Sequence, residues 1–335
     1  MRQVISEARP AARSVLARVA RADRTVVAAL VEGQRDLTLF PRIALPASGE
    51  GIVAGDWLWL DEKWNDAILV PRRTLLARHE GGVASKPVAA NVDIVFVVAP
   101  MDRPLRLSLV ERLAMLACDS GASPHVVLTK CDLVSFSELL GAHHDIESAL
   151  FGVGVTAVSS DGSDGIEELR EVLASNQTAV LIGQSGAGKS TLVNRLLGNQ
   201  QRNVADVRAK DGRGRHTTSA SEICPVPGTG SVIIDTAGVR QVAVALGGAG
   251  VDEVFADIID LGTRCRFADC SHVGDQGCAI AASVSAGDLD ADRVRRYLKL
   301  LRDSERIDTK STASRRDKSV EYTRFARDYR ERRGH

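Results

Sequence analysis

The chain has 335 residues, 44% of them hydrophobic and 26% charged, with a formal net charge of zero. That length exceeds one ordinary domain and that apolar content is ample for packed cores. No stretch approaches the apolar length needed to span a bilayer, and without a signal peptide the six cysteines point to a reducing, cytoplasmic setting rather than to disulfides.

In chain order, residues 1–24 carry Arg2, Arg9, Arg13, Arg18, Arg21 and Arg24 and read as a flexible basic arm. From Thr25 to about Ala90 short apolar runs alternate with turn clusters. They are Val26–Leu30, Asp36–Phe40, Trp57–Leu60 and Ala67–Val70. This spacing predicts a small all-β barrel of about five strands, an OB-fold, with Gly51–Trp57 as a corner.

Residues 91–250 carry the nucleotide motifs. The apolar run His125-Val-Val-Leu128 ends in Thr129-Lys130-Cys131-Asp132, which resembles the guanine-specificity motif N-K-x-D. A carboxylate there accepts from the guanine N1–H and N2 amino group, which adenine cannot match. Thr129 replaces the usual Asn and keeps one hydroxyl donor. Val153–Val158 and then Ser159 and Ser160 resemble the companion loop whose backbone N–H groups meet the guanine oxygen.

The segment Gly183, Gln184, Ser185, Gly186, Ala187, Gly188, Lys189, Ser190, Thr191 has the form G-x-x-x-x-G-K-[ST]. An apolar run precedes it and an amphipathic helical pattern follows it. Its glycines let consecutive N–H groups point inward at phosphate oxygens, and the helix N-terminus adds partial positive charge. Lys189 suits the β and γ phosphates, and Ser190 suits Mg²⁺.

Beyond the P-loop, Gly212–Thr218 is glycine-rich and polar, the composition of a mobile switch loop, and either Thr217 or Thr218 can give Mg²⁺ a second hydroxyl. Val232-Ile-Ile234 leads into Asp235-Thr-Ala-Gly238. This resembles D-x-x-G, in which Asp235 holds Mg²⁺ through water and the Gly238 N–H senses the γ phosphate. The water-orienting Gln that often follows is Val239 here. His216 is the best replacement, since an imidazole can orient or accept from water. The motif order is itself informative. The guanine motifs precede the P-loop, which is a circular permutation of the usual GTPase order, and it ties whatever follows directly to the second switch.

Cys265, Cys270, His272 and Cys278 form C-x4-C-x-H-x5-C. Three thiolates and an imidazole complete a tetrahedral zinc shell with no open position, hence a structural site. From Arg293 to Arg333 fifteen basic residues face seven acidic ones, with Tyr297, Tyr322, Phe325 and Tyr329 interleaved. A basic helical tail with stacking side chains suits RNA.

This order of elements resembles the RsgA/YjeQ family of bacterial small-ribosomal-subunit biogenesis GTPases over about residues 25–330. The most specific pieces are Asn91-Val-Asp93, the P-loop, Gly212–Thr218 and Cys265–His272. The resemblance implies a multidomain α/β chain with an OB-fold at 25–90, a permuted P-loop GTPase domain at 91–250, and a helical zinc domain with a basic tail at 251–335. It implies GTP and GDP, Mg²⁺ and one zinc as cofactors, and the small ribosomal subunit with its rRNA as partner. It also implies hydrolysis stimulated by that subunit, with His216 against the water. A monomer that engages no membrane is expected. Thr129 for Asn and Ala237 for Pro depart from the family pattern. Two other readings stay open at this point: an RNA-binding zinc protein that senses GTP with negligible turnover, and a P-loop kinase or ATPase unrelated to translation.

Overall fold

A computed structural model describes residues 2–10, 14–23, 26–33, 37–41, 51–61, 67–80, 83–150, 152–159, 164–173, 176–198, 221–236, 249–267 and 269–302. The chain divides into two compact units, one of residues 1–78 and 86–244, the other of residues 79–85 and 245–335.

The first unit begins with a short helix, α1 (Arg2–Glu7). Five antiparallel strands follow: β1 (Ser14–Ala22), β2 (Val26–Val31), β3 (Leu37–Pro41), β4 (Trp57–Asp61) and β5 (Ala67–Leu69). β1 is the hub and pairs with both β2 and β4. Alternate side chains, among them Ala17, Val19, Val27, Ala29, Leu58 and Leu60, close a small apolar core. The expectation of a flexible arm over residues 1–24 is therefore corrected: a helix occupies 2–7 and the first strand 14–22. The arginines of β1 face neighbours instead of solvent. Arg18 lies 5.0 Å from the centre of the Trp57 ring and donates to Thr178 Oγ1 at 2.6 Å. Burial pushes its pKa down to about 10, opposed by the charge of Asp93. The predicted corner holds a buried ion pair, Asp56 with Arg72 at 2.7 Å. Gly55 is required there, because its φ is +94° and a Cβ would stand 2.1 Å from the Ala90 carbonyl oxygen.

After β6 (Leu75–Glu80) and β7 (Val83–Ala90), a separate two-stranded sheet, come the strands of the nucleotide-binding half. They are β8 (Ile94–Pro100), β9 (Ser123–Thr129), β10 (Gly154–Val158), β11 (Thr178–Gly183), β12 (Ser221–Pro225) and β13 (Val232–Thr236). Their order is β10-β9-β8-β11-β13-β12. Neighbours are parallel except β12, which runs antiparallel to β13. Every residue of β8 and β11 is buried, as expected for central parallel strands covered on both faces. The helices are α2 (Leu107–Asp119), α3 (Phe136–Ala149), α4 (Ile166–Val172) and α5 (Lys189–Leu196). Ser135 and Glu138 start α3 with a reciprocal capping box, which satisfies two backbone donors. One core gathers Phe96 and Leu181 with Leu169, Leu173, Leu192 and Leu196. Truncating any one of these to Ala costs about 2–5 kcal/mol.

The chain runs β8, β9, β10 outward and then returns to place β11 on the other side of β8. This reversal opens a crevice at the carboxyl ends of β8, β9 and β11, where ligands bind in open α/β sheets. The five-stranded part is fused to this sheet. Arg21 of β1 pairs with Glu222 of β12, Arg18 of β1 donates to the Thr178 hydroxyl of β11, and Asn91 Nδ2 donates to the Gly55 carbonyl at 3.0 Å.

The second unit contains helices α6 (Ala249–Val254), α7 (Ala256–Gly262) and α8 (Ala279–Ala286), then α9 over residues 291–302. Two residues assigned to the basic tail belong to its core. Arg293 is 4% exposed, bonds Asp257 at 2.9 Å and the Val254 carbonyl at 2.8 Å, and stacks on Phe255. Tyr297 packs on the same ring, with centroids 5.3 Å apart. Neither is free to meet RNA, which corrects that part of the expectation. Residues 303–335 lie outside the described residues.

Candidate functional site

The P-loop leaves β11 at Gly183 and enters α5 at Lys189. Gly183 has φ +151° and a Cβ there would lie 2.4 Å from the Val98 carbonyl oxygen, so only glycine lets the loop pass this close to β8. Gly186 and Gly188 have φ of +76° and +88°, left-handed conformations that turn successive N–H groups to one side. Ala187 is buried beneath the loop, while Ser185, Ser190 and Thr191 are exposed. The Lys189 ammonium lies across the loop, donating to the carbonyls of Gly183 at 2.8 Å and Gln184 at 2.7 Å.

The T-K-C-D segment follows β9 on the adjoining rim. Thr129 is buried and its hydroxyl donates to the Ala187 carbonyl at 2.8 Å. The residue that departs from the usual Asn thus ties this segment to the P-loop 58 positions away in sequence. Lys130 is left-handed, with φ +61°, and turns the chain into a short 3-10 helix, Cys131–Leu133, that presents Asp132 on the surface. Thr129, Lys130, Val158, Ser159, Gly188, Thr191 and Arg195 line one open pocket. It joins three segments that are widely separated in sequence: the T-K-C-D segment, the serine loop and the P-loop helix.

Two observations fit a ligand in this pocket. Ser159 Oγ is buried with no hydrogen-bond partner among the described residues, and such groups cost free energy unless something satisfies them. Gly188, which lines the same pocket, has φ +88°, the loop conformation that turns backbone N–H groups towards a ligand. Arg195, absent from the sequence-based site, donates to the Ser159 carbonyl at 2.6 Å and holds the serine loop to α5. Asp102 and Arg103, also missed, follow β8 at the same rim. Nothing in their local spacing marks them, because Lys130, which bonds Asp102, lies 28 positions away in sequence. Asp235, next to last in β13, is exposed. Ser160, His216, Thr217, Thr218 and Gly238 lie outside the described residues.

In the second unit Cys265, Cys270, His272 and Cys278 place their ligand atoms all within 4.8 Å of one another. Cys265 Sγ is 3.9 Å from Cys278 Sγ, and the two sulfurs lie 3.6 and 3.7 Å from His272 Nδ1. A tetrahedral shell with metal–sulfur bonds of about 2.3 Å has edges of about 3.7 Å, so the spacing suits a metal ion. His272 reaches the cluster from a left-handed conformation, φ +59°. The amides of Ala279 and Ala281, in the first turn of α8, donate to the Cys265 and Cys278 sulfurs, each at 3.4 Å. Burial opposes ionisation of Cys265, but hydrogen bonds, that from Ala279 first among them, bring its pKa below the usual thiol range. Asp275, a further residue not anticipated, accepts from Cys270 Sγ at 3.5 Å and from the Ser271 amide at 2.7 Å.

Comparisons with known proteins bear on both halves. The family model described as RsgA GTPase matches residues 69–245. A protein of Streptomyces coelicolor called small ribosomal subunit biogenesis GTPase RsgA is 42% identical over 271 residues, 79% of this chain and 74% of that protein. One of the same name from Xanthomonas campestris is 37% identical over 305 residues, 89% of this chain and 82% of that protein. Among solved structures, YjeQ from Thermotoga maritima superposes with a TM-score of 0.64 at 21% identity, covering 87% of this chain and 99% of that one. YloQ, described as a circularly permuted GTPase, gives 0.60 at 19% identity, covering 88% and 96%. These two similarities concern the fold.

Proposed function

This chain belongs to the RsgA GTPase family and is a GTP hydrolase, and from that premise we propose that it binds the small ribosomal subunit and its rRNA and acts late in that subunit's maturation. Hydrolysis of GTP to GDP and phosphate is stimulated by the subunit. The observation that carries this reading is the pocket shared by Thr129, Lys130, Ser159, Gly188 and Thr191. A base-recognition edge beside a phosphate cradle is what a guanine nucleotide requires, and relatives bearing the same family signature carry the ribosomal name. Among the described residues no helix is long and apolar enough to cross a membrane. The protein works in the cytoplasm as a monomer.

In this reading the phosphates rest on the N–H groups of Gly183 to Lys189, and Lys189 exchanges its two carbonyl acceptors for the β and γ phosphates. Ser190, a switch threonine (Thr217 or Thr218) and Asp235 through water are the residues to hold Mg²⁺, which when bound offsets the phosphate charge. Asp132 reads the base, the serine loop meets its oxygen, and Gly238 senses the γ phosphate. The β1–β5 strands form an OB-fold that contributes to rRNA binding alongside the basic tail. Ordering of the switch on the subunit brings His216 to the attacking water. Hydrolysis then releases the switch, and the attached second unit lets go of rRNA.

Co-sedimentation with purified small and large subunits, across a salt series with GDP and with a non-hydrolysable GTP analogue, tests the partner. Binding is expected to the small subunit, to need the GTP analogue, and to weaken steeply with salt, since each neutralised phosphate releases a counterion. Charge reversal at Arg315, Arg316 and Lys318 is expected to weaken binding and flatten the salt slope while intrinsic hydrolysis stays unchanged. Equal binding in both nucleotides, or preference for the large subunit, would overturn this reading.

The cluster of three cysteines and one histidine holds one structural zinc. Metal analysis of purified protein is expected to give one zinc per chain, and Cys270→Ser to lose it together with the fold of the second unit, because metal binding and local folding share one free energy. Full zinc content in Cys270→Ser would exclude this ligand set.

A further inference from the structure

The rim of the nucleotide pocket carries a charge cluster that the roles above do not use. The loop after β8 is held against the guanine strand, since the Met101 amide donates to the Thr129 carbonyl at 2.8 Å. The next residue, Asp102, receives the Lys130 ammonium on Oδ2 at 2.5 Å. Arg103 fixes the same carboxylate from the other side, Nε to Oδ1 at 2.8 Å and a terminal nitrogen to Oδ2 at 3.2 Å. Arg103 and Lys130 together hold the Asp102 carboxyl far below the usual carboxylate range, so the cluster stays charged at any working pH. That terminal nitrogen of Arg103 lies 3.7 Å from where a Gly186 Cβ would stand, so the cluster borders the phosphate cradle as well as the base pocket.

Lys130 lines the pocket on a four-carbon stem, and such a side chain carries rotamer entropy that ligand binding must otherwise remove. Its neighbour Thr129 offers a single hydroxyl bond where the usual motif has an amide. We propose that Asp102 is a positioning residue for nucleotide affinity: by pinning the Lys130 ammonium it holds the lysine stem as a preformed wall of the pocket. The inference rests on the nucleotide-site reading given above. Preorganisation of this kind strengthens binding without altering the chemical step.

The test is a double-mutant cycle on the full chain. It reads GDP affinity by titration of a fluorescent N-methylanthraniloyl GDP, together with kcat and KM for GTP. Asp102→Asn is expected to weaken GDP binding and raise KM by about five-fold, the scale of a partly exposed ion pair, with kcat unchanged. Asp102→Glu should restore most of the affinity. In a Lys130→Met background, which keeps the stem and removes the charge, Asp102→Asn should add no further loss. An equal loss in that background, no loss at all, or a changed kcat with unchanged KM would overturn the proposal. Thermal unfolding without nucleotide reports folding, and Asp102→Ser takes the place of Asp102→Asn if the latter is unstable. ADP competition in the wild type separates the two levels. If ADP displaces the probe as well as GDP does, the guanine reading has failed, whereas the cycle alone decides whether Asp102 acts through Lys130.

Discussion

Replacing Asp132 with Asn is expected to convert a GTP site into one that takes xanthosine triphosphate. Asp132 lies exposed in the turn that Lys130 opens after β9, two residues on from Lys130, which lines the pocket with Ser159 and the P-loop helix. An ionised carboxylate offers only acceptors, and guanine answers with the N1–H and the N2 amino group. Adenine offers neither donor on that edge and would leave the carboxylate unpaired. Mismatches of this kind cost about two orders of magnitude or more, and the wild type should prefer GTP to ATP by at least that factor. The asparagine amide supplies a donor to the C2 oxygen of xanthine, so affinity for GTP falls while xanthosine triphosphate gains. Competition titrations with the four nucleotides measure this. Equal affinity of the wild type for ATP and GTP would remove the assignment.

His216→Ala is expected to lower subunit-stimulated hydrolysis by about two or more orders of magnitude while nucleotide affinity stays nearly intact, because an interaction made only with the attacking water contributes to the transition state and not to binding. Many GTPases orient that water with a Gln just after D-x-x-G, but this chain has Val239 there, whose side chain cannot hydrogen-bond. His216, in the segment before β12, is the replacement, since an imidazole in its neutral form can accept from water. Lys189→Ala serves as the contrasting control, since Lys189 lies across the phosphate cradle itself and its loss should damage binding. Single-turnover hydrolysis with and without small subunits distinguishes the two. Normal stimulated turnover in His216→Ala would end the water-positioning role.

Much of the nucleotide-binding half is legible in the sequence, because its signals are local. A glycine loop between an apolar run and an amphipathic run marks a strand and a helix, and β11 and α5 flank Gly183–Lys189 accordingly. The apolar run His125–Leu128 falls within β9. Where the reading failed, the same composition had two physical outcomes. Arginines every few residues in 1–24 suggested a solvated arm, yet Arg18 is held in its setting by the Trp57 ring, the Thr178 hydroxyl and the nearby charge of Asp93. Arg293 and Tyr297 counted towards an RNA-facing tail, yet Asp257, the Val254 carbonyl and Phe255 take them into the core of the second unit.

By itself, the sequence set out the candidate chemistry and the order in which its parts are strung: a P-loop motif, a T-K-C-D motif upstream of it, and a close-spaced cysteine and histidine set. Each depends on residues within about a dozen positions, so backbone reach alone brings them together. Only the tertiary structure decided which distant side chains complete them. Thr129 meets the Ala187 carbonyl, Arg195 the Ser159 carbonyl, Asp102 the Lys130 ammonium, and Arg18 the Thr178 hydroxyl. These partners are 28 to 160 residues apart, and strand order places them side by side. No local periodicity encodes such a meeting, because it follows from which strands lie adjacent once the apolar faces of β8 and β11 are buried.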